Sequence, residues 1–122
     1  MKPSELGQEG EKQALKFLKK SGYQILVSNL RNKAGELDMI AKKEGFLCII
    51  EVKTRRGEHS PIEAVTRQKR QKICKATHLF QLQHQLTEWP VRFDILGITG
   101  TPEKFSFELI EDAFNESEDS PY

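Results

Sequence analysis

Residues 35–53 constrain the fold more than any other stretch. Gly35-Glu36-Leu37-Asp38-Met39-Ile40-Ala41 and Phe46-Leu47-Cys48-Ile49-Ile50-Glu51-Val52-Lys53 are two short, apolar, β-prone runs. Lys43-Glu44-Gly45 between them carries the glycine that a tight turn needs. The pattern predicts a β-hairpin closed by a two-residue loop at Glu44-Gly45. Lys43 then pairs with Phe46, and counting outward sets Asp38 directly across from Glu51. Residues two apart share a strand face, so Glu51 and Lys53 point the same way as Asp38. Directly opposed residues hold their Cβ atoms roughly 5 Å apart. Two carboxylates and an ammonium converge.

Like charges set opposite each other on a sheet destabilise it, and a buried charge is costly unless it is paired or binds a metal. Two carboxylates this close suit a hard cation such as Mg²⁺, which keeps several waters and takes further oxygens from substrate phosphates. A neighbouring lysine adds positive charge where negative charge develops. The plainer reading makes Glu51 and Lys53 neighbours on a solvated face, the lysine neutralising the carboxylate. Against it, Phe46, Cys48, Ile50 and Val52 line one face of the second strand while Leu47 and Ile49 line the other. A strand apolar on both sides is buried on both sides.

The chain of 122 residues has the length of one domain, and no apolar run reaches the 18 residues of a membrane span. With no signal-peptide pattern at its start, a cytoplasmic location and no membrane partner are expected. Cys48 and Cys74 lack metal-ligand spacing and are expected to be reduced core thiols. A formal charge of +1 hides an asymmetry: residues 1–94 hold 18 Lys/Arg against 11 Asp/Glu, and residues 95–122 hold 1 against 7. A basic body with an acidic end suits a polyanion-binding surface.

A first helix is expected from an N-cap at Ser4 to about Ser21, stopped by Gly22, with Leu6, Gly10, Ala14, Phe17 and Leu18 as its apolar stripe. Glu11 borders that stripe, either turned inward or paired at the boundary with lysine, whereas Glu9 is solvated. Tyr23–Ser28 reads as a strand. In the connection that follows, Arg31 and Lys33 either touch phosphates or are ordinary loop charges. Ser60-Pro61-Ile62-Glu63 forms a capping box, which starts a second helix at Pro61 and carries it to about Thr87-Glu88. Its stripe of Ile62, Val65, Ile73, Ala76 and Phe80 demands Lys69, which either snorkels or reaches the carboxylates. Between Val52 and Lys75 stand 8 basic residues against 2 acidic ones. Arg55, Arg56, Arg67, Arg70 and Lys72 in this segment are the expected contacts to a phosphate backbone. His59, His78 and His84 read as surface or boundary residues. Strands at Val91–Ile98 and Lys104–Ile110 complete a domain of residues 1–110. Residues 111–122 read as an acidic, largely disordered tail.

This order of elements resembles the PD-(D/E)xK, restriction-endonuclease-like core, in which an Asp on one strand precedes a Glu-x-Lys on the next, as Asp38 precedes Glu51-Val52-Lys53. Gly10-Glu11 with Ala14, Gly22-Tyr23, Asn29-Leu30-Arg31, Gly35 to Ala41, Glu51 to Arg55, Lys69 and Arg92-Phe93-Asp94 together resemble the YraN-like family, itself similar to archaeal Holliday-junction resolvases. Leu37 stands where the superfamily motif has proline. The resemblance implies an α/β fold, a mixed central sheet of about five strands flanked by helices. It also implies a Mg²⁺-dependent nuclease, with Mn²⁺ as a substitute, acting on branched DNA. Asp38, Glu51 and the Val52 carbonyl would hold the metal, Lys53 would position or deprotonate the attacking water, and Glu11 would match the first-helix acid of the resolvases. Resolvases act as symmetric dimers, which makes a homodimer the oligomer to test. The alternative is a nucleic-acid-binding protein with this fold and no catalysis.

Overall fold

Glu44 and Gly45 both take positive φ, 53° and 85°, in the computed structural model of the chain. This is the signature of a primed two-residue hairpin turn, whose twist matches that of its strands. The structure describes residues 3–54 and 65–115, with side chains from Gly7 onward. The elements run α1 (Pro3–Lys20), β1 (Gln24–Asn32), β2 (Gly35–Lys43), β3 (Phe46–Thr54), α2 (Arg67–Gln83), β4 (Val91–Thr101) and β5 (Lys104–Phe114). One five-stranded sheet lies in the order β1-β2-β3-β4-β5. Its neighbours pair antiparallel except β3 and β4, which are parallel. A parallel pair needs a long crossover, and α2 lies in it.

The two faces of the sheet carry separate cores. Leu37, Ile40, Leu47, Ile49, Phe93 and Ile95 pack with Ile73, Ala76 and Phe80 of α2. Met39, Ala41, Cys48, Ile50, Val52, Leu96 and Ile98 pack with Ala14 and Leu18 of α1. The mixed α/β sheet flanked by helices is the expected one. Both cysteines are buried and in no disulfide, one in each core. Burial, with the nearby Asp94 carboxylate, pushes the Cys48 thiol up to about 12.

Several boundaries differ from expectation. Ser4 lies inside α1, which is broken at Gly7 by a φ of 76°, instead of capping it. β1 continues to Asn32 and forms a second hairpin with β2. α2 is capped by Thr66, whose extended backbone (φ −66°, ψ 161°) excludes a helix running through it from Pro61. The capping box at Ser60–Glu63, like His59, lies outside the described residues. α2 ends at Gln83, short of Thr87. β4 reaches Thr101 and β5 reaches Phe114, so residues 111–114 belong to the sheet and not to a tail. Phe114 is buried and stacks on Phe93 at 4.8 Å.

Candidate functional site

Pairing between β2 and β3 runs from Lys43–Phe46 to Met39–Ile50 and there stops. Beyond that point β2 stays with β1 through Leu30–Leu37. Asp38 therefore meets β3 by its side chain: Oδ2 accepts the Val52 N–H at 2.8 Å. The hairpin count sets Asp38 directly across from Glu51; the ladder ends one pair short of that, and Asp38 contacts β3 at the neighbouring Val52, its carboxylate standing in for a backbone carbonyl. The N–H and C=O of one strand residue lie on the same edge, so the Val52 carbonyl also faces the Asp38 side.

Glu51 shares its face with Leu47 and Ile49, the α2 side. There Lys69 Nζ lies 3.1 Å and Lys53 Nζ 3.6 Å from Glu51 Oε1. Thr66 sets the position of Lys69 by accepting the Lys69 N–H at 3.2 Å, the N-cap bond that fixes the first turn. The structure thus brings together Asp38, Glu51, Lys53 and Lys69. Asp38 is 6 % exposed and Glu51 3 %.

The electrostatics follow from this burial. Burial pushes the Glu51 carboxyl above its usual range and Asp38 adds to the rise, while Lys69 and Lys53 oppose it. Burial lowers Lys53, and its hydrogen bond with Lys69 lowers it further. For Lys69, burial acts downward but is outweighed by that same bond and by the Glu51 charge, leaving it raised. Glu51 Oε2 is buried with no hydrogen-bond partner among the described residues. A carboxylate oxygen left so is costly, and a cation would satisfy it. Among the described residues no three His, Cys, Asp or Glu side chains converge. Two carboxylates and a backbone oxygen fit Mg²⁺, which completes its shell with water and phosphate, better than they fit Zn²⁺.

The other expected site residues are dispersed. Glu11, half-buried on α1, accepts from Asn29 Nδ2 at 3.2 Å. Asn29 lies between Ser28 and Leu30, whose partners Met39 and Leu37 flank Asp38, so Glu11 stands one strand away from the acid pair. Arg31 is ion-paired to Glu36. Lys33 is exposed in the β1–β2 turn, and Arg67 and Lys72 are exposed on α2. Arg70 lies 5.8 Å over the Phe114 ring. Arg55 and Arg56 lie outside the described residues.

Two features escaped the sequence reading. Asn32 Nδ2 donates to the Ala76 carbonyl of α2 at 3.0 Å, and its Oδ1 accepts from Ala34 and Gly35 N–H. This clasps the β1–β2 turn to the helix. On the α1 side, fully buried Asp94 accepts from the Tyr23 hydroxyl at 2.6 Å, from Arg92 Nε at 3.0 Å and from the Asp112 N–H at 2.8 Å. The signal was present: Arg92 and Asp94, two apart, are opposite charges on one face of a strand that is otherwise apolar.

The sheet, its crossover helix and the acid pair beneath two lysines define an α/β domain with a nuclease-like core. A family model described as "Uncharacterised protein family UPF0102" matches residues 10–98, and the chain belongs to that family. It is 42% identical over 112 residues to a UPF0102 protein of Thermodesulfovibrio yellowstonii, covering 90% of this chain and 96% of the relative. It is 39% identical over 114 residues to one of Clostridium kluyveri, covering 90% and 93%, and 37% identical over 113 residues to one of Symbiobacterium thermophilum, covering 90% and 96%. No helix among the described residues is long and apolar enough to cross a membrane.

Proposed function

We propose that this chain is a Mg²⁺-dependent endonuclease that hydrolyses phosphodiester bonds of DNA, branched DNA in particular. The observation that carries the reading is Glu51: a carboxylate 3 % exposed, one oxygen without a hydrogen-bond partner among the described residues, set beside a second buried carboxylate. A fold holds such a group against its desolvation cost where the site has a use for it.

Asp38, Glu51 and the Val52 carbonyl would hold the cation. When bound, it supplies Lewis-acid stabilisation of the phosphoryl oxygens and eases ionisation of water. The chain's own residues do the rest. Asp38, fixed by the Val52 N–H, cannot swing away from Glu51. Lys69 and Lys53 bring two amino groups to the same edge, where the Lys69 ammonium balances Glu51 and Lys53, lowered by burial and by Lys69, is available to orient the attacking water. Lys53 is the better placed for the water, being less exposed (14 % against 38 % for Lys69).

A second reading rests on the same ion pairs. Lys69 and Lys53 already compensate Glu51, so the cluster is also intelligible as a self-contained charge network in a nucleic-acid-binding protein without catalysis. Cleavage of a four-way junction and a flapped duplex in Mg²⁺, with Mg²⁺ titrated by calorimetry, separates the two. Glu51→Gln and Asp38→Asn are expected to lower cleavage by about 100-fold or more and to weaken Mg²⁺ binding, while DNA binding in EDTA persists. Variants that cut as well as wild type, or a wild type that cuts nothing across the substrate panel, would overturn the nuclease reading.

A further inference from the structure

Between the start of β2 and the first two turns of α2 lies a cleft of about 420 Å³ whose walls include Gly35, Glu36, Gln68, Lys69 and Lys72. Its size falls in the range of small-ligand pockets, about 300 Å³ and upward. Lys69 belongs both to this cleft and to the acid-pair site, since its ammonium reaches Glu51. Whatever fills the cleft therefore adjoins Asp38 and Glu51.

The charge of the cleft selects its occupant. Lys69 and Lys72, three apart on a helix, lie on one face as neighbours. Glu36 carries the opposing charge, but Arg31 is ion-paired to it, and the first turn of α2 contains no acidic residue. Among the described residues of the cleft, with Glu36 matched by Arg31 and Lys69 by Glu51, the Lys72 charge is left in excess. The width of the cleft is set in advance: the Asn32 clasp binds the β1–β2 turn to the Ala76 carbonyl, so the ligand need not order the wall on binding. An anionic segment with hydrogen-bonding groups fits a preformed slot with a lysine ammonium and the Gln68 amide at its rim.

We propose that this cleft seats one nucleotide of the strand held at the Asp38–Glu51 site, its backbone phosphate against Lys72 and its sugar or base edge within reach of Gln68. The assignment rests on the nucleic-acid reading above, but it does not require turnover. Lys75 supplies the control, because it is exposed on the same helix with the same charge and is not among the described residues that line the cleft.

The experiment is fluorescence anisotropy of a labelled 15-nucleotide single strand, titrated in EDTA at several salt concentrations, on wild type, Lys72→Glu, Gln68→Ala and Lys75→Glu. Lys72→Glu is expected to weaken binding about tenfold or more and to lower the salt slope by about one. Gln68→Ala is expected to weaken binding about threefold with no change in that slope, and Lys75→Glu to change affinity less than about threefold. Equal losses from Lys72→Glu and Lys75→Glu, or a wild type that binds no strand, would overturn the subsite. Mg²⁺-dependent cleavage is scored separately. A persistent Lys72–Lys75 contrast without cleavage retains the subsite and removes the nuclease reading, whereas normal cleavage with no contrast does the reverse.

Discussion

The Asp38 carboxylate stands where a strand would offer a backbone carbonyl, and that substitution ties the chemistry of the site to its stability. Asp38→Ala leaves the buried Val52 N–H without its acceptor, which costs about 1–3 kcal/mol. Asp38→Asn keeps an acceptor oxygen in place. Urea denaturation without metal should therefore show a lower midpoint for Asp38→Ala than for Asp38→Asn. Equal midpoints would mean that the hydrogen bond to Val52 contributes nothing to the fold. At this scale the sequence was informative, because hairpin counting alone placed Asp38 beside Glu51. It could not show that β2 leaves β3 at this point, since a ladder ending in a side chain has the same residue spacing as one that continues. Lys69 was read with two alternatives, and only the position of α2 over the sheet selects the one that touches Glu51.

The elements were legible where local chemistry fixes them and illegible where a distant partner does. The Glu44-Gly45 turn was readable because its dihedral demand is written in the glycine. The end of α2 was not. His84 N–H bonds the Phe80 carbonyl, Leu86 N–H bonds the Gln81 carbonyl, and Gln85 takes a φ of 57°. This is a Schellman closure made with glutamine in the place that glycine usually fills. Residues 111–114 look like the start of an acidic tail by composition, yet Lys43 pairs with Glu111 and Phe93 stacks on Phe114. A strand held by partners many residues away has no local signature. Phe114→Ala is expected to cost about 3–5 kcal/mol, and ending the chain at Ile110 should cost at least as much. A thermal melt of the shortened protein that overlays the full chain would show the end of β5 to be dispensable.

Across the whole molecule, the Tyr23–Asp94–Arg92 network joins the segment after α1 to β4 and, through the Asp112 N–H, to β5. Burial, reinforced by the hydrogen bond to Asp94, holds the Tyr23 hydroxyl well above the usual phenol range. A group whose folded pKa is raised contributes stability that is complete below its unfolded value, about 10 for tyrosine, and is lost as pH rises toward the folded value. Wild type should therefore exceed Tyr23→Phe by about 1.5–3 kcal/mol near neutral pH, and the gap should narrow as pH climbs above 10. A gap that stays constant to pH 11.5 in paired urea titrations would show that the fold does not hold the Tyr23 hydroxyl above its unfolded value.

The tight loop at Glu44-Gly45 has one more consequence, for the order in which the site is assembled. Both carboxylates belong to a single hairpin, a unit that closes in microseconds. Lys69 arrives only when α2 docks on the sheet, a less local event and thus a slower one. The repulsion between Asp38 and Glu51 is in place before the cation that most closely relieves it. Early in folding the two carboxylates stand close but solvated, and docking of α2 is the step that both buries them and brings Lys69 against Glu51.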